Sequence, residues 1–260
     1  MKKYPLETIQ ELPVAGQTAV LADIHGNSWA LRVVLADMAS LDIQIVIHLG
    51  DYFYGPLDPA GTARLLLASG GMAVLGNQDR LVLEHRNRET RNPTLGHVLR
   101  SLSSETFDWL AGLPATRYAG HRVLACHGTP CSDGMYLLED IQTGHPRPRD
   151  TDTLAQVLNG VSADLILCGH SHLPGIRRTV QDQTIVNPGS VGLPAYADAA
   201  PVRHRMESGT PHATYAIVSP VDREWRIEWR RLSYDWKSAA AAARKNNRPD
   251  WAGYLENGMC

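Results

Sequence analysis

An α/β fold of two stacked, mixed β-sheets with helices outside is predicted by three features of the sequence. Short apolar runs alternate with amphipathic stretches through the first half, strand-like runs dominate beyond "GLP" (112–114), and such runs continue almost to the C-terminus. Alternation builds parallel β–α–β units, whereas strands that follow one another directly need a second layer to cover them.

In order, "TAVLAD" (18–23), "NSWALRVVLADMA" (27–39) and "IQIVIHLGD" (43–51) read as strand, helix and strand. Leu31, Val34, Leu35 and Met38 recur at helical spacing, and Asn27 stands where an N-cap is expected. A helix over about 59–68 and a strand at "MAVL" (72–75) follow, then "GNQD" (76–79), which reads as a turn, and helical "RLVLEH". Residues 94–112 form a helical stretch. "TRYAG", "HRVLACHG", "ADLILCGHSH", "GIRRTV", "TIVNPGS", "HATYAIVS" and "EWRIEWRRL" are strand candidates, interrupted by helical "TLAQVLNGVS" (153–162). Residues 143–150 and 195–211 read as loops, and "WKSAAAAARK" (236–245) as a closing surface helix. The expected organisation is one domain over 1–260 with a helical tail from about 236.

Composition narrows the function. At 43% hydrophobic the chain can fill a core, and a formal net charge of −2 gives no global field to recruit nucleic acid or anionic membrane. Cys126, Cys131, Cys168 and Cys260 lack the spacing of a disulfide framework or a cysteine zinc site. The start "MKKYPLETIQEL" has no apolar leader segment, and no apolar run approaches the ~18 residues of a membrane span. A soluble cytoplasmic protein is expected.

The chemistry collects where apolar strands stop: Asp23 and His25 in "LADIHGN", Asp51 in "IHLGD", Asn77 in "VLGNQD", His127 in "LACHG", His170 and His172 in "LCGHSH". Loops at the carboxyl ends of strands converge on one crevice, so these segments can supply one site. Two carboxylates, four imidazoles and an amide oxygen suit two divalent ions of manganese, iron or zinc better than calcium. Asp-x-His is a plausible ligand pair because residues two apart on an extended segment point the same way, and His-x-His repeats that spacing. Singly, His48, His97 and His121 read as ordinary structural histidines.

The ordered set Asp-x-His, Gly-Asp, Gly-Asn-x-Asp, His-Gly and Gly-His-x-His resembles the calcineurin-like metallophosphoesterase superfamily. "GDYFYGPLDP", "HGTP", "GHSHLP", "NPGSVGLP" and "ATYAIV" look like its small bacterial and archaeal phosphodiesterase branch. The resemblance implies a four-layer α/β/β/α sandwich. It also implies one metal on Asp23, His25 and His172, a second on Asn77, His127 and His170, and Asp51 bridging them. Manganese is favoured among manganese, iron, zinc and nickel. A water or hydroxide between the ions would attack phosphorus in line. The implied function is a metal-dependent phosphoesterase, foremost a phosphodiesterase acting on small phosphodiesters or nucleotides. A phosphomonoesterase or dinucleoside polyphosphate hydrolase is the near alternative. A nuclease is disfavoured by the absence of a basic stripe.

One position departs from the pattern. Much of the family carries His after the metal-binding Asn, where it protonates the leaving oxygen or holds the phosphate; here stands Gln78, with Asp79, the usual orienting acid, retained. An amide donates hydrogen bonds but delivers no proton at neutral pH. Gln78 is therefore also the argument for another class of answer, a metal-holding interaction scaffold with little turnover. His204 and His212, in and just after the 195–211 stretch, are candidate substitute acids, with exposed surface histidines as the plainer account. Tyr54 and Arg80, and more weakly Arg147 and Arg149, are candidate substrate contacts. Ser190 in "NPGS" reads as a tight turn near the metals, since no nucleophile elbow surrounds it.

Because an acid of this kind contributes about 10²- to 10⁴-fold, aryl phosphodiesters should be hydrolysed better than alkyl diesters of similar size. Gln78→His should raise turnover on poor leaving groups. Rates measured across a leaving-group series for both proteins check this, and a flat series would count against a missing acid.

Overall fold

The computed structural model describes residues 9–10, 16–222 and 224–260. The N-terminal stretch read above for a leader lies, apart from Ile9 and Gln10, outside the described residues. In chain order, β1 is Ile9–Gln10, β2 Thr18–Leu21, α1 Ser28–Ser40, β3 Ile45–His48, α2 Pro59–Ser69, β4 Met72–Ala73 and α3 Asn77–Glu84. Then come α4 Pro93–Ser101, α5 Ser104–Ala111, β5 Thr116–Ala119, β6 Val123–Cys126, β7 Glu139–Asp140, β8 Arg147–Pro148 and α6 Thr151–Val157. The chain continues through β9 Leu165–Leu167, β10 Pro174–Arg178, β11 Thr184–Pro188, β12 Ala195–Asp198, β13 His204–Glu207, β14 Ala213–Val221 and β15 Glu224–Leu232. Helices α7 Trp236–Lys245 and α8 Pro249–Asn257 follow.

Among the described residues one sheet runs β15-β14-β2-β3-β4 and the other β1-β5-β6-β9-β11-β10. Both are mixed: β2, β3 and β4 are parallel with β14 antiparallel to β2, and β6, β9 and β11 are parallel with β5 and β10 antiparallel at the flanks. The period of two along each strand builds the layers. Ala19 and Leu21 of β2 join the helical cluster with Leu31 and Val34, while Val20 and Ala22 face the other sheet. On β6, Val123 and Ala125 meet that inter-sheet core, and Leu124 and Cys126 pack with Leu154 and Leu158 around α6. The result is the expected α/β/β/α order. Asn27 does cap α1, its Oδ1 accepting from the Ala30 N–H at 3.0 Å.

Several expectations are corrected. "GNQD" is a helix start: Gly76 is the N-cap of α3, and Asn77, Gln78 and Asp79 form its first turn. The helical stretch 94–112 is two helices broken at Leu102 and Ser103. Residues 195–211 fold as the β12–β13 hairpin, and β8 pairs with β7 inside the supposed loop 143–150. Helix α7 neither ends the chain nor lies loosely on the surface. Ala239, Ala240 and Ala243 are fully buried, and Trp251, Ala252 and Leu255 of α8 join the same core as α1.

Leu167, fully buried between the sheets, has no room to be lost without a void. Leu167→Ala should cost about 2–5 kcal/mol, read as a shift in denaturant midpoint at unchanged slope.

Candidate metal centre

Six of the seven polar residues singled out at strand ends sit in turns that leave β2, β3, β6 or β9, and Asn77 opens α3 after β4. The turns are joined through their backbones: Asp23 N–H donates to the Gly50 carbonyl at 3.1 Å, His25 N–H to Asp51 at 2.9 Å, and Gly169 N–H to His127 at 2.7 Å. Asp23, His25, Asp51, His170 and His172 all have left-handed backbones, with φ of 57°, 51°, 58°, 69° and 61°. Such conformations cost a non-glycine residue of order 1–3 kcal/mol and persist where surrounding bonds enforce them. This corrects the spacing argument: Asp-x-His works through left-handed turns, not an extended segment. Gly50 and Gly76 let two of the turns touch, since a Cβ on Gly50 would lie 2.7 Å from the Gly76 Cα.

The structure brings six of the seven candidates into two groups of potential ligand atoms, Asp23 with His25 and His172, and Asp51 with His127 and His170. His170 and His172 therefore part company. Asn77 joins the second group, its Oδ1 lying 2.9 Å from His127 Nε2. Asp51 Oδ2 lies between the groups, 3.4 Å from His127 Nε2 and 3.9 Å from His25 Nε2.

Three rings are aimed from behind. Nδ1 of His25 donates to the Tyr54 carbonyl at 2.8 Å, that of His127 to Leu49 at 2.6 Å, and that of His172 to Leu193 at 2.6 Å. A neutral ring so bonded presents Nε2 as a lone pair, the arrangement by which ligand histidines are oriented. His25 and His172 then face each other Nε2 to Nε2 at 3.1 Å. Facing lone pairs repel unless a cation lies between them. The fully buried Asp23 also has a carboxylate oxygen, Oδ1, with no hydrogen-bond partner, 3.4 Å from His172 Nε2. The donor set fits divalent cations on these grounds.

The electrostatics agree. Burial works against a charged His127, yet the Asp51 carboxylate outweighs it and pushes the ring up to about 10. Burial alone would raise Asp51, but the His127 charge and hydrogen bond hold its carboxyl below the usual range. His25 and His170 are pushed down to about 4, first by burial and then by neighbouring imidazoles. Concentrated negative charge that draws protons onto imidazole is a demand a divalent cation can also meet.

The site opens into a cavity of about 200 Å³ that Tyr54 and Gln78 help to line. Gln78 donates its backbone N–H to Asp51 Oδ1 at 2.9 Å and leaves its buried amide oxygen unpartnered. Asp79 does not orient residue 78; its carboxylate accepts N–H bonds from Asp51 at 2.7 Å, Tyr52 at 2.9 Å and Gly76 at 3.0 Å. Arg80 does not line the cavity, because its guanidinium is engaged by Asp133 and Glu84. Arg149 donates to the carbonyls of Leu137, Tyr136 and Glu139, and Arg147 is exposed. His204 is no surface residue: it is buried in the β12–β13 hairpin, bonded to Tyr136 Oη at 2.8 Å. His212 contacts Thr210 and Trp236. Ser190 fits the turn reading, donating to the Asp23 carbonyl at 2.8 Å.

Sequence reasoning missed the aromatic walls. Tyr136 stacks on His170 at 4.5 Å, Tyr196 packs edge-on to His172 at 4.6 Å, and Trp251 meets His25 edge-on at 5.8 Å. Nothing near these residues in the chain marks them as neighbours of the ligands. Glu139 was also missed. Its Oε1 accepts from Ser171 Oγ at 2.9 Å, and Asn187 Nδ2 donates both to Ser171 Oγ and to the Gly169 carbonyl, fixing the turn that carries His170 and His172.

Fold and site together define an α/β/β/α hydrolase with paired candidate metal groups. The family model for the calcineurin-like phosphoesterase superfamily domain matches residues 17–217, and the chain belongs to that superfamily, hydrolases acting on phosphoric ester bonds. The uncharacterized protein MJ0912 of Methanocaldococcus jannaschii is 27% identical, over 92% of this chain and 97% of its own. A metallophosphoesterase from Sphaerobacter thermophilus shares the fold with a TM-score of 0.75 at 22% identity, covering 94% of this chain and 99% of that one. A structure provisionally described as a diadenosine tetraphosphatase has a TM-score of 0.52 at 19% identity, covering 85% and 96%.

Burial pushes the Glu139 carboxyl up to about 7, against the pull of its Ser171 hydrogen bond. The folded state thus prefers the neutral acid, a preference present in acid and lost as pH rises through about 7. Glu139→Gln keeps an acceptor for Ser171 without the charge. In chelator-treated protein it should melt higher than wild type at pH 8, by on the order of 1–3 kcal/mol, with the gap narrowing at pH 5.

Proposed function

We propose that the chain is a phosphodiesterase for small monoanionic phosphodiesters, working with two divalent ions among manganese, iron, zinc and nickel, manganese favoured. Asp23, His25 and His172 would hold one ion, Asn77, His127 and His170 the other, and Asp51 both. The observation that carries this reading is Asp51 Oδ2, poised between the two groups while Oδ1 is fixed by the Gln78 N–H. The ions would supply a water activated near neutral pH and charge compensation at the phosphoryl oxygens.

The chain's own part is placement. Carbonyl-anchored rings keep their lone pairs inward, and the aromatic walls exclude water from one side of the reacting centre. Preference for a diester rests on charge. Among the described residues lining the cavity Arg248 is the one Lys or Arg, and its guanidinium is committed to Asp250, Nη2 to Oδ2 at 2.6 Å. No spare cation there suits the second charge of a monoester or the chain of a dinucleoside polyphosphate. The four cysteines are free, and no helix among the described residues is long and apolar enough to cross a membrane. The first of these is in keeping with a reducing, cytoplasmic setting.

With added manganese the protein should hydrolyse bis(p-nitrophenyl) phosphate with a higher kcat/KM than p-nitrophenyl phosphate. Asp51→Asn should lose on the order of 10²-fold or more. Wild-type turnover no higher than that of the variant would instead favour the scaffold.

A further inference from the structure

The helix pair at the C-terminus does more than close the core. Helix α8 and the residue before it bring Arg248, Asp250, Trp251 and Tyr254 into the cavity that holds the candidate metal groups. Trp251 is held on two sides: the Arg248 guanidinium lies 5.4 Å from its ring centre, and its edge meets His25. Arg248 is tied to Thr94 as well as to Asp250, so this wall is rigid. Tyr54, Tyr136 and Tyr196 complete an aromatic lining, and each of their hydroxyls is already hydrogen-bonded, to Asn92, to His204 and to the His170 carbonyl. At Tyr136 and Tyr196 the ring, not the hydroxyl, is what the wall offers a ligand.

Two independent features then agree on the ligand. The lining is aromatic, with one cation already neutralised by Asp250. Residue 78 supplies no proton, which favours a departing oxygen that is stable as an anion, as a phenolate-type group is and an alkoxide is not. The space, about 200 Å³, is below the roughly 300–1,000 Å³ of common small-molecule pockets, enough for a phosphoryl group and one ring.

Resting on the phosphodiesterase reading, we propose that the cavity selects phosphoesters with one flat aromatic substituent, and that Tyr254 and Trp251 of α8 are its specificity-determining residues. The ring packs on the α8 wall while the phosphoryl group faces the two ligand groups. Tyr254, half-buried, is the face on which selection is read most directly.

Calorimetry on the manganese-loaded protein with methyl(phenyl)phosphinate and dimethylphosphinate, both monoanionic and without an ester bond to cleave, separates recognition from turnover. The phenyl compound should bind about tenfold tighter, the order expected of one aromatic contact. Tyr254→Ala should bring the ratio of the two affinities to about threefold or less, and Trp251→Leu should do the same. Each ratio comes from one preparation, so a partly unfolded variant does not distort it. A wild-type ratio under twofold, or one that both variants leave unchanged, would overturn the aromatic wall while leaving diester hydrolysis standing. Failure of both phosphinates to bind, together with no turnover of bis(p-nitrophenyl) phosphate, would overturn both readings.

Discussion

The Asp79 carboxylate accepts backbone N–H bonds from Gly76, Asp51 and Tyr52 and is fully buried. It thereby ties the turn after β3 to the start of α3. Burial, with the nearby Asp51 charge, pushes this carboxyl up to about 7, so the fold gives up part of an acid's ordinary preference for ionisation. What offsets this is local. Three amide donors converge on the group, and its place in the first turn of α3 sets it against the positive end of the helix dipole. With Asp79 in place the Asp51 backbone cannot wander, and the left-handed turn that points its side chain between the two ligand groups is held. The oxygen on which a dinuclear reading depends is thus positioned by an acid that touches none of the other ligands.

The same logic extends outward. Five of the candidate ligand residues are held in left-handed conformations, and that strain needs a stiff surround. The stiffness comes from the sandwich, since the strands that end in these turns bury both faces, one on the opposite sheet and one on helices. Backbone bonds between turns then transmit the register of one sheet to the other: Asp23 accepts at Oδ2 from the His170 N–H, although the two residues belong to different sheets. Core packing and site geometry are one problem here. A void between the sheets would loosen the relation between the two groups before it touched any ligand.

The candidate ligand groups were legible because few residue types can serve as ligands and each stands directly after an apolar run, where chain direction alone brings turns together. The layer order was legible from the same runs. The means by which Asp23 and His25 converge was not, because a left-handed Asp or His has no signature in sequence. "GNQD" reads as a free turn and opens α3 instead, since Gly, Asn and Asp serve helix starts and turns alike. His204 was expected on a loop because "AYADAAPVRHRMESGTP" is rich in turn formers; pairing of Ala195–Asp198 with His204–Glu207 buries it instead. The α8 wall was invisible for a different reason: Trp251 lies 226 positions beyond His25, and only tertiary packing makes them neighbours.

Gln78 is where the site's charge and its chemistry meet. Four imidazoles already share two carboxylates, and crowding with burial pushes His25 and His170 down to about 4. A fifth imidazole on the cavity wall would add another group whose charge competes with metal for the same carboxylates. An amide keeps a hydrogen-bonding side chain at that place and adds no titrating charge of its own. The cost is the proton for the leaving group. On the proposal above, a cavity walled by Tyr54, Tyr136, Tyr196, Trp251 and Tyr254, whose one Lys or Arg among the described lining residues is paired with Asp250, would suit monoanionic esters with a leaving oxygen stabilised by an aromatic ring. On that reading Gln78 and the walls contributed by α8 are two parts of one specialisation, which leaves the candidate ligand groups as they stand.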